Sequence, residues 1–292
     1  MVASDDAELT RAPDTHRLEW PSFDPVRVGM PELCRAGLSE NWLLKACGHR
    51  HWLALAAAHG MVRPEFHGSL GERLYPAFVA VDVKGLGAGL DSVGEHDRLD
   101  FALCLERVGR TRFHSRITVS AQGVAIAQVE MTTAFVHRAV PGMNRSATRA
   151  MVARPCRLLP APGHRPPPFR PDTWDTIAGF ARRERAELAD LVLDPAPHED
   201  FNGAEFLYFS AFQAMLDRAE WQWCRQTAPL FVTHRRHIFY LGNAELGDKV
   251  KVTLCGIRKH AGIHSHWVEM RRNSDNAMIG VAFTQRKHFT LS

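Results

Sequence analysis

The chain is 292 residues long, 45% hydrophobic and 23% charged, with a formal net charge of +4. That length accommodates two domains of ordinary size, each able to bury its own core, and the composition is globular rather than disordered. The mild positive excess, mostly arginine spread along the chain, argues against nucleic acid as a partner, although it would suit an anionic ligand such as a phosphorylated thiol carrier.

The opening residues MVASDDAELTRAPD lack a basic stretch followed by an apolar one, so no secretory leader is expected, and residues 1–24 read as a polar, flexible arm. The six cysteines (Cys34, Cys47, Cys104, Cys156, Cys224 and Cys255) form no CxxC pair. Free thiols and a cytoplasmic location are the expectation. A helix is predicted from Gly37 to Gly60, with Ser39 as its cap and Leu43, Leu44, Cys47, His51, Leu55 and Ala58 on its apolar positions. Lys45, His49, Arg50 and His51 interrupt this longest apolar stretch, so no membrane span is expected. His49 lies off the Cys47/His51 face, and no metal is expected there.

Next comes YPAFVAVDVKG, where a period of two places Tyr75, Ala77, Val79, Val81 and Val83 on one inward face. Pro76, without an N–H to donate, marks a strand start or a sheet edge. RLDFALCLERV, RFHSRITVS and VAIAQVEMTTAFVHR supply three further strands, completing a first unit over residues 25–150. A proline cluster within residues 154–171 breaks the pattern, and residues 151–197 read as a linker with a short amphipathic helix capped by Asp172 and carrying Ile177, Phe180, Leu188, Leu191 and Val192. The second unit, residues 198–292, opens with a helix from Asn202 and continues with the strands LFVTHRRHIFYLG, DKVKVTLCGIR, GIHSHWVEMRR and AMIGVAFTQRKHF.

The two units read as copies of one another. DRLDFALCLERVGRTRFHSRITV (97–119) lies over DKVKVTLCGIRKHAGIHSHWVE (248–269), placing Asp97 on Asp248, Leu103-Cys104 on Leu254-Cys255, and Phe113-His114-Ser115 on Ile263-His264-Ser265. Further on, Ala134-Phe135 matches Ala282-Phe283. One long helix followed by an antiparallel sheet, stated twice, is an α+β pattern and describes a double hot dog.

By analogy of fold alone, such proteins handle thioesters of coenzyme A or acyl carrier protein. The free N–H groups at a helix start can polarise a thioester carbonyl, which draws attention to Leu38–Asn41 and Asn202–Glu205. Of the three tyrosines, Tyr208 sits in a helical aromatic stretch that packing explains, whereas Tyr75 and Tyr240 both lie near the head of a strand and read as rough counterparts. His51, His114, His264 and His266 are candidate bases. Asp217, alone among apolar helical positions, is either a base or the ion-pair partner of Arg218 or Arg225. No HxxxGxxxxP pattern is present, which weakens a dehydratase reading.

MPELCRAGLSENWLLKACGHRHW (30–52), NGAEFLYFSAFQAMLDRAEW (202–221) and HIFYLGNAELGDKV (237–250) resemble the bifunctional acyltransferase/decarboxylase family of leinamycin biosynthesis, from about residue 25 to the C-terminus. The resemblance implies a double hot dog enzyme of polyketide-type biosynthesis. Such an enzyme takes methylmalonyl-CoA, transfers its acyl group to the phosphopantetheine thiol of an acyl carrier protein and decarboxylates it, giving a propionyl thioester. It implies a tyrosine as acyl acceptor, here Tyr75; from the helix starts, Ser39, Asn41 and Asn202 are the expected residues at the carbonyl end, and His51 is expected to handle a proton. Gly203, Glu205, Tyr240 and Asn243 are expected substrate contacts alongside Asn202. No bound metal, flavin or biotin is implied; the partners are the acyl-CoA and the carrier protein, with a homodimer left open. A thioesterase or dehydratase of the same fold, or a non-catalytic carrier-binding protein, is the alternative.

Overall fold

The computed structural model describes residues 16–20, 22–162 and 169–289. Helix α1 (Glu40–Ala58) starts where the sequence predicts: the Ser39 hydroxyl accepts the Trp42 N–H at 3.3 Å. It stops at Gly60, which adopts φ +64° while its N–H reaches the Ala57 carbonyl and that of Met61 reaches Ala56. This left-handed exit satisfies carbonyls the helix would otherwise leave bare. A concave antiparallel sheet wraps the helix: β1 (Arg17–Trp20), β2 (Arg73–Gly85), β3 (Arg98–Arg107), β4 (Arg112–Ala121) and β5 (Val124–Arg138). Alternate residues of β3 and β4, among them Leu99, Phe101, Leu103, Leu105, Ile117 and Val119, point at α1 and are buried.

The second half repeats this plan with β6 (Ala189–Leu193), α2 (Phe209–Trp223), β7 (Phe231–Tyr240), β8 (Val250–His260), β9 (Ile263–Arg272) and β10 (Met278–His288). Among the described residues these strands join one thirteen-stranded sheet, its main path running β1-β3-β4-β5-β2-β7-β10-β9-β8-β6. The path reads the same from either end. Its seam is the antiparallel pairing of β2 with β7, where Val81 faces Ile238 and Val83 faces Arg236.

The ladders fix the internal correspondence. Leu103, Ile117, Val129 and Val83 form one row across the first half. Leu254, Val268, Ala282 and Ile238 form the same row across the second. All eight are buried core residues. Leu103 and Leu254 match as expected, but Ser115 then corresponds to His266 rather than Ser265, and Ala282 to Val129 rather than Ala134. A slip of one residue exchanges the faces of a strand, and only cross-strand pairing exposes it.

Four further expectations change. Residues 17–20 of the supposed arm pair with Leu103–Glu106 as β1, while residues 1–15 lie outside those described. Among the described residues no α-helix covers the stretch from Asp172 to Val192, and residues 163–168 of the proline cluster are outside those described. In its place Thr176–Ile177 pairs with Phe180–Ala181, and β6 docks on β8, so the second sheet begins at residue 189 within the expected linker. Phe169, Trp174 and Phe180 of this connector cover the outer face of the second sheet against Phe239, Trp267 and Phe283. α2 starts at Phe209, not at Asn202. Finally, β2 bulges between Phe78 and Ala80. Leu74 and Phe78 before the bulge and Val81 and Val83 after it all face the core, so Tyr75 lies on the opposite face from the one strict alternation assigns.

The seam carries apolar burial from both halves, and Ile238 is 1% exposed within it. Ile238→Ala is expected to cost about 2–5 kcal/mol, read as a lower urea midpoint in equilibrium unfolding.

Candidate functional site

β2 runs past the seam: its pairing with β7 ends at Ala80 facing Phe239, leaving Tyr75–Val79 beside the approach to α2. A cavity of ≈ 370 Å³ lies there, bounded by the first part of β2, the end of β7, the turn at Asn144–Ala147 and the start of α2. The approach to α2 is held by side-chain amides. Asn202 Oδ1 accepts the N–H groups of Ala204 at 3.0 Å and Phe206 at 3.1 Å. Asn243 Oδ1 accepts the Leu207 N–H at 2.9 Å, and its Nδ2 donates to the Leu207 carbonyl at 3.1 Å. Asn144 Nδ2 donates to the carbonyls of Glu205 and Ala244 at 2.7 and 2.8 Å.

The inner end of the cavity is aromatic: Trp52, Phe78, Phe209 and Phe212. The outer end is polar, with Asn144, Arg145, Asn202, Asn243 and Arg272. Tyr75 stands edge-on to Phe206, ring centroids 5.4 Å apart. The guanidinium carbons of Arg73 and Arg138 each lie 6.0 Å from its ring centroid. Arg138 is fixed by Asn144 Oδ1 at 2.8 Å, by the Ala204 carbonyl and by the Phe206 ring at 4.0 Å. The Tyr75 hydroxyl has no hydrogen-bond partner among the described residues. Tyr240, by contrast, donates to the Phe209 carbonyl at 3.1 Å, and burial pushes its phenol well above the usual 10. Burial also raises Tyr208. Both therefore stay protonated at neutral pH.

Of the residues singled out from the sequence, Tyr75, Tyr240, Asn202 and Asn243 meet at this cavity. Tyr240 arrives from the tail of β7, not the head of a strand; the antiparallel seam brings that tail beside the head of β2. Gly203 and Glu205 belong to the turn before α2 but do not line the cavity. Ser39 and Asn41 sit elsewhere, bordering a second cavity of ≈ 360 Å³ at the start of α1, where Asn41 Nδ2 donates to Ser210 O and Gln213 Oε1, both at 2.9 Å. His51 is fully buried between Ser115 Oγ at 2.7 Å and Thr133 Oγ1 at 2.8 Å, and burial pushes its imidazole down to about 3. It is a neutral core group that lines neither cavity; its ring lies 5.7 Å from that of Phe78, on the far side of the first cavity's inner wall. Arg138, Asn144, Phe206 and Phe209 carry no local signal, because their roles arise from segments that meet only on folding.

The second cavity is the pseudosymmetric mate of the first, and an ionic cluster adjoins it, with Glu40, Asp217 and Arg286 in its lining. Counted from the first residue of each helix, Glu40 corresponds to Phe209, Gly48 to Asp217 and His51 to Glu220. Along the strands Phe78 corresponds to Thr233, Val81 to Arg236, Ser115 to His266 and Thr133 to Arg286. Thr233 donates to Glu40 Oε2 at 2.6 Å. Arg236, with no exposed side-chain surface, contacts Glu40 at 3.4 Å and Asp217 at 2.7 Å. Arg286 contacts Asp217 at 2.7 Å and donates from Nε to Glu220 at 2.9 Å. Glu220 also meets His266 at 2.8 Å. Asp217 is thus paired with Arg236 and Arg286, not with Arg218 or Arg225. Burial raises Glu40 despite Arg236. Burial opposes the Glu220 carboxylate too, yet Arg286, His266 and Arg236 together hold it well below the usual range.

Among the described residues no group of three or more His, Cys, Asp or Glu is arranged to hold a metal ion, and no helix is long and apolar enough to cross a membrane. No known protein family and no curated protein sequence matches the chain. Solved structures do. An acyl-ACP thioesterase from Bacteroides thetaiotaomicron is similar over 93% of this chain and 98% of its own, with a TM-score of 0.60 at 11% identity. A 12:0-ACP thioesterase from Umbellularia californica is similar over 95% of this chain and 99% of its own, with a TM-score of 0.63 at 7% identity.

A depressed folded-state carboxyl stabilises above its ordinary value of 4.5 and loses that contribution as pH falls toward its folded value. Glu220→Gln is therefore expected to lose about 3 kcal/mol at pH 7 in urea unfolding, with the gap to the parent narrowing steadily below pH 4.5. The likeness to these structures at such low identity is one of fold, and it makes the chain a double hot dog.

Proposed function

We propose that the first cavity processes an acyl-CoA thioester, and that the chain is an acyltransferase/decarboxylase taking methylmalonyl-CoA to a propionyl thioester on an acyl carrier protein. One observation carries the choice among thioester chemistries: the residues lining the cavity include tyrosine, asparagine and arginine but no aspartate, glutamate or histidine. Hydrolysis and dehydration need a positioned base. Acyl transfer to a phenol and decarboxylation instead need a nucleophile and a sink for developing negative charge.

In this reading the Tyr75 oxygen attacks the thioester carbonyl, the C–S bond breaks, and coenzyme A leaves as a thiol with the phenolic proton. The carrier's thiol then attacks the aryl ester, and the phenol is regenerated. Loss of CO2 leaves the C–C bonding pair on the acyl group as an enolate, which takes a proton from solvent at the α-carbon. Support for the enolate comes from the start of α2. Tyr208 provides no side-chain cap, and the N–H groups of Phe209 and Ser210 have no acceptor among the described residues. A fifteen-residue helix with free donors at its first turn favours negative charge there. Arg73 and Arg138 place positive charge beside the Tyr75 ring.

Intact-protein mass spectrometry of a phosphopantetheinylated carrier, incubated with methylmalonyl-CoA and the enzyme, tests this directly. A propionyl adduct is expected, and Tyr75→Phe should abolish it while circular dichroism stays unchanged. Undiminished turnover in that variant would remove the nucleophile assignment. A methylmalonyl adduct would retain the transferase and reject the decarboxylase.

A second reading has its own support. Asp217 borders the second cavity with 44% of its side chain exposed, and both similar structures named above are thioesterases. Hydrolysis of an acyl-CoA without carrier, lost in Asp217→Asn but kept in Tyr75→Phe, would move the chemistry to that cavity. On the leading reading Asp217→Asn instead leaves propionyl-carrier formation within about threefold of the parent, once any loss of stability from the broken ion pairs is allowed for.

A further inference from the structure

We infer that Phe209 and Phe78, seated on Gly48, form the floor of the acyl pocket and restrict it to short acyl groups. This rests on the first cavity being the acyl-thioester site. The exposures set its direction: Phe78, Phe209 and Phe212 are 8%, 5% and 1% exposed, whereas Arg145 at the other end keeps 35% of its side chain in solvent. An acyl group entering beside Arg145 therefore ends against the phenylalanines.

The floor is rigid. The rings of Phe78 and Phe209 lie 4.1 Å apart at 36°. Behind them stands the backbone of α1 at Gly48, where an added Cβ would come within 2.8 Å of Phe209 Cζ and 3.3 Å of Phe78 Cζ. No side chain is present there to rotate away, and neither ring can retreat without moving the helix. Phe212 is backed in the same manner by Gly280, whose Cβ would lie 3.1 Å from its ring. At about 30 Å³ for each water-sized group, the cavity of ≈ 370 Å³ takes roughly a dozen non-hydrogen atoms. A branched acyl group of roughly three to five carbons, with the sulfur and the adjoining end of the pantetheine arm, fills that space, and a longer chain has to displace the floor. The mate positions support the assignment: Glu40, Thr233 and Asp217 occupy the places of Phe209, Phe78 and Gly48, so polar groups stand where the aromatic floor would be.

The test is calorimetric titration with 2-oxoalkyl-CoA thioethers, whose methylene between sulfur and carbonyl prevents acyl transfer, in a series from 2-oxobutyl to 2-oxododecyl. The parent is expected to bind the 2-oxobutyl compound at least about tenfold more tightly than the 2-oxononyl and longer ones. Phe209→Ala should bring the 2-oxononyl compound to within about threefold of the shortest, with Phe209→Leu intermediate and less demanding of the fold. Gly48→Ala, which drives the ring into the cavity, should weaken even the 2-oxobutyl compound by about tenfold. Equal affinity for short and long tails in the parent, or an unaltered preference in folded Phe209→Ala and Phe209→Leu, would overturn the floor while leaving the site an acyl-thioester site. Failure of every tail length to bind the parent would instead remove the reading beneath the proposal, and the proposal with it.

Discussion

The structure depends on one seam. β2 and β7 pair in antiparallel sense near the chain's internal twofold axis, and this pairing joins the five main-path strands of each half into one continuous sheet. Because the strands run in opposite directions, the overhanging head of each lies near the far end of its partner. The start of α2 is thereby placed against the head of β2, and the start of α1 against the head of β7. Two equivalent clefts follow from the geometry before any side chain is specified. What distinguishes this protein is how differently it fills them.

In one cleft the equivalent positions carry Phe209, Phe78, Gly48 and Val81; in the other they carry Glu40, Thr233, Asp217 and Arg236. The second set is costly to bury. Arg236 has no exposed side-chain surface, and every charge taken from water there loses solvation that Coulomb attraction only partly restores. The cluster answers that cost in part, by pairing its charges with one another, although Glu40 Oε1 and Arg236 Nε are left without a hydrogen bond among the described residues. Its carboxylates and guanidinium groups contact several partners each, and Thr233 and His266 take up further oxygens. Such a network ties α2 to β7, β9 and β10 from within. It also leaves that cleft unsuited to an apolar tail, while the aromatic cleft is left unsuited to charge at its inner end.

The parts of the fold that arise from local pattern were legible in the sequence. α1 could be read from its cap, its spacing and Gly60, and the main strands from alternation. The twofold repeat could be read too, since Leu103 and Leu254 do correspond. Features set by non-local pairing were not. The bulge at Val79 reverses the face of Tyr75, and nothing in YPAFVAVDVKG announces an extra residue between Phe78 and Ala80. The one-residue slip that set Ser115 on Ser265 has the same origin. The connector's Ile177, Phe180 and Leu191 suggested a helix because isolated apolar residues fit several periods; Phe180 instead packs on the outer sheet and Leu191 pairs within β6. At the site, Tyr75, Tyr240, Asn202 and Asn243 do converge, yet Tyr240 does so because it ends its strand. The aromatic floor was invisible, as Phe209 and Phe78 are far apart in the chain and each alone resembles ordinary core.

The two helix starts complete the contrast. At α1 the Ser39 hydroxyl occupies an N–H of the first turn, and Glu40 brings its carboxylate to the positive end of the helix, so the local field is already answered by the protein. At α2 the capping position is Tyr208, which offers no such bond, and Phe209 follows it with a bulky apolar side chain. Free donors beside an apolar wall are unfavourable unless something accepts from them. A thioester carbonyl is an acceptor of the right kind: weak in the ground state, strong once it carries enolate charge, and attached to an acyl group that an apolar wall accommodates. On the reading proposed above, the stability lost at this uncapped, aromatic helix start is what makes the cleft responsive to charge that develops only during reaction, and the ion-filled mate shows what the same geometry becomes when the protein supplies that charge itself.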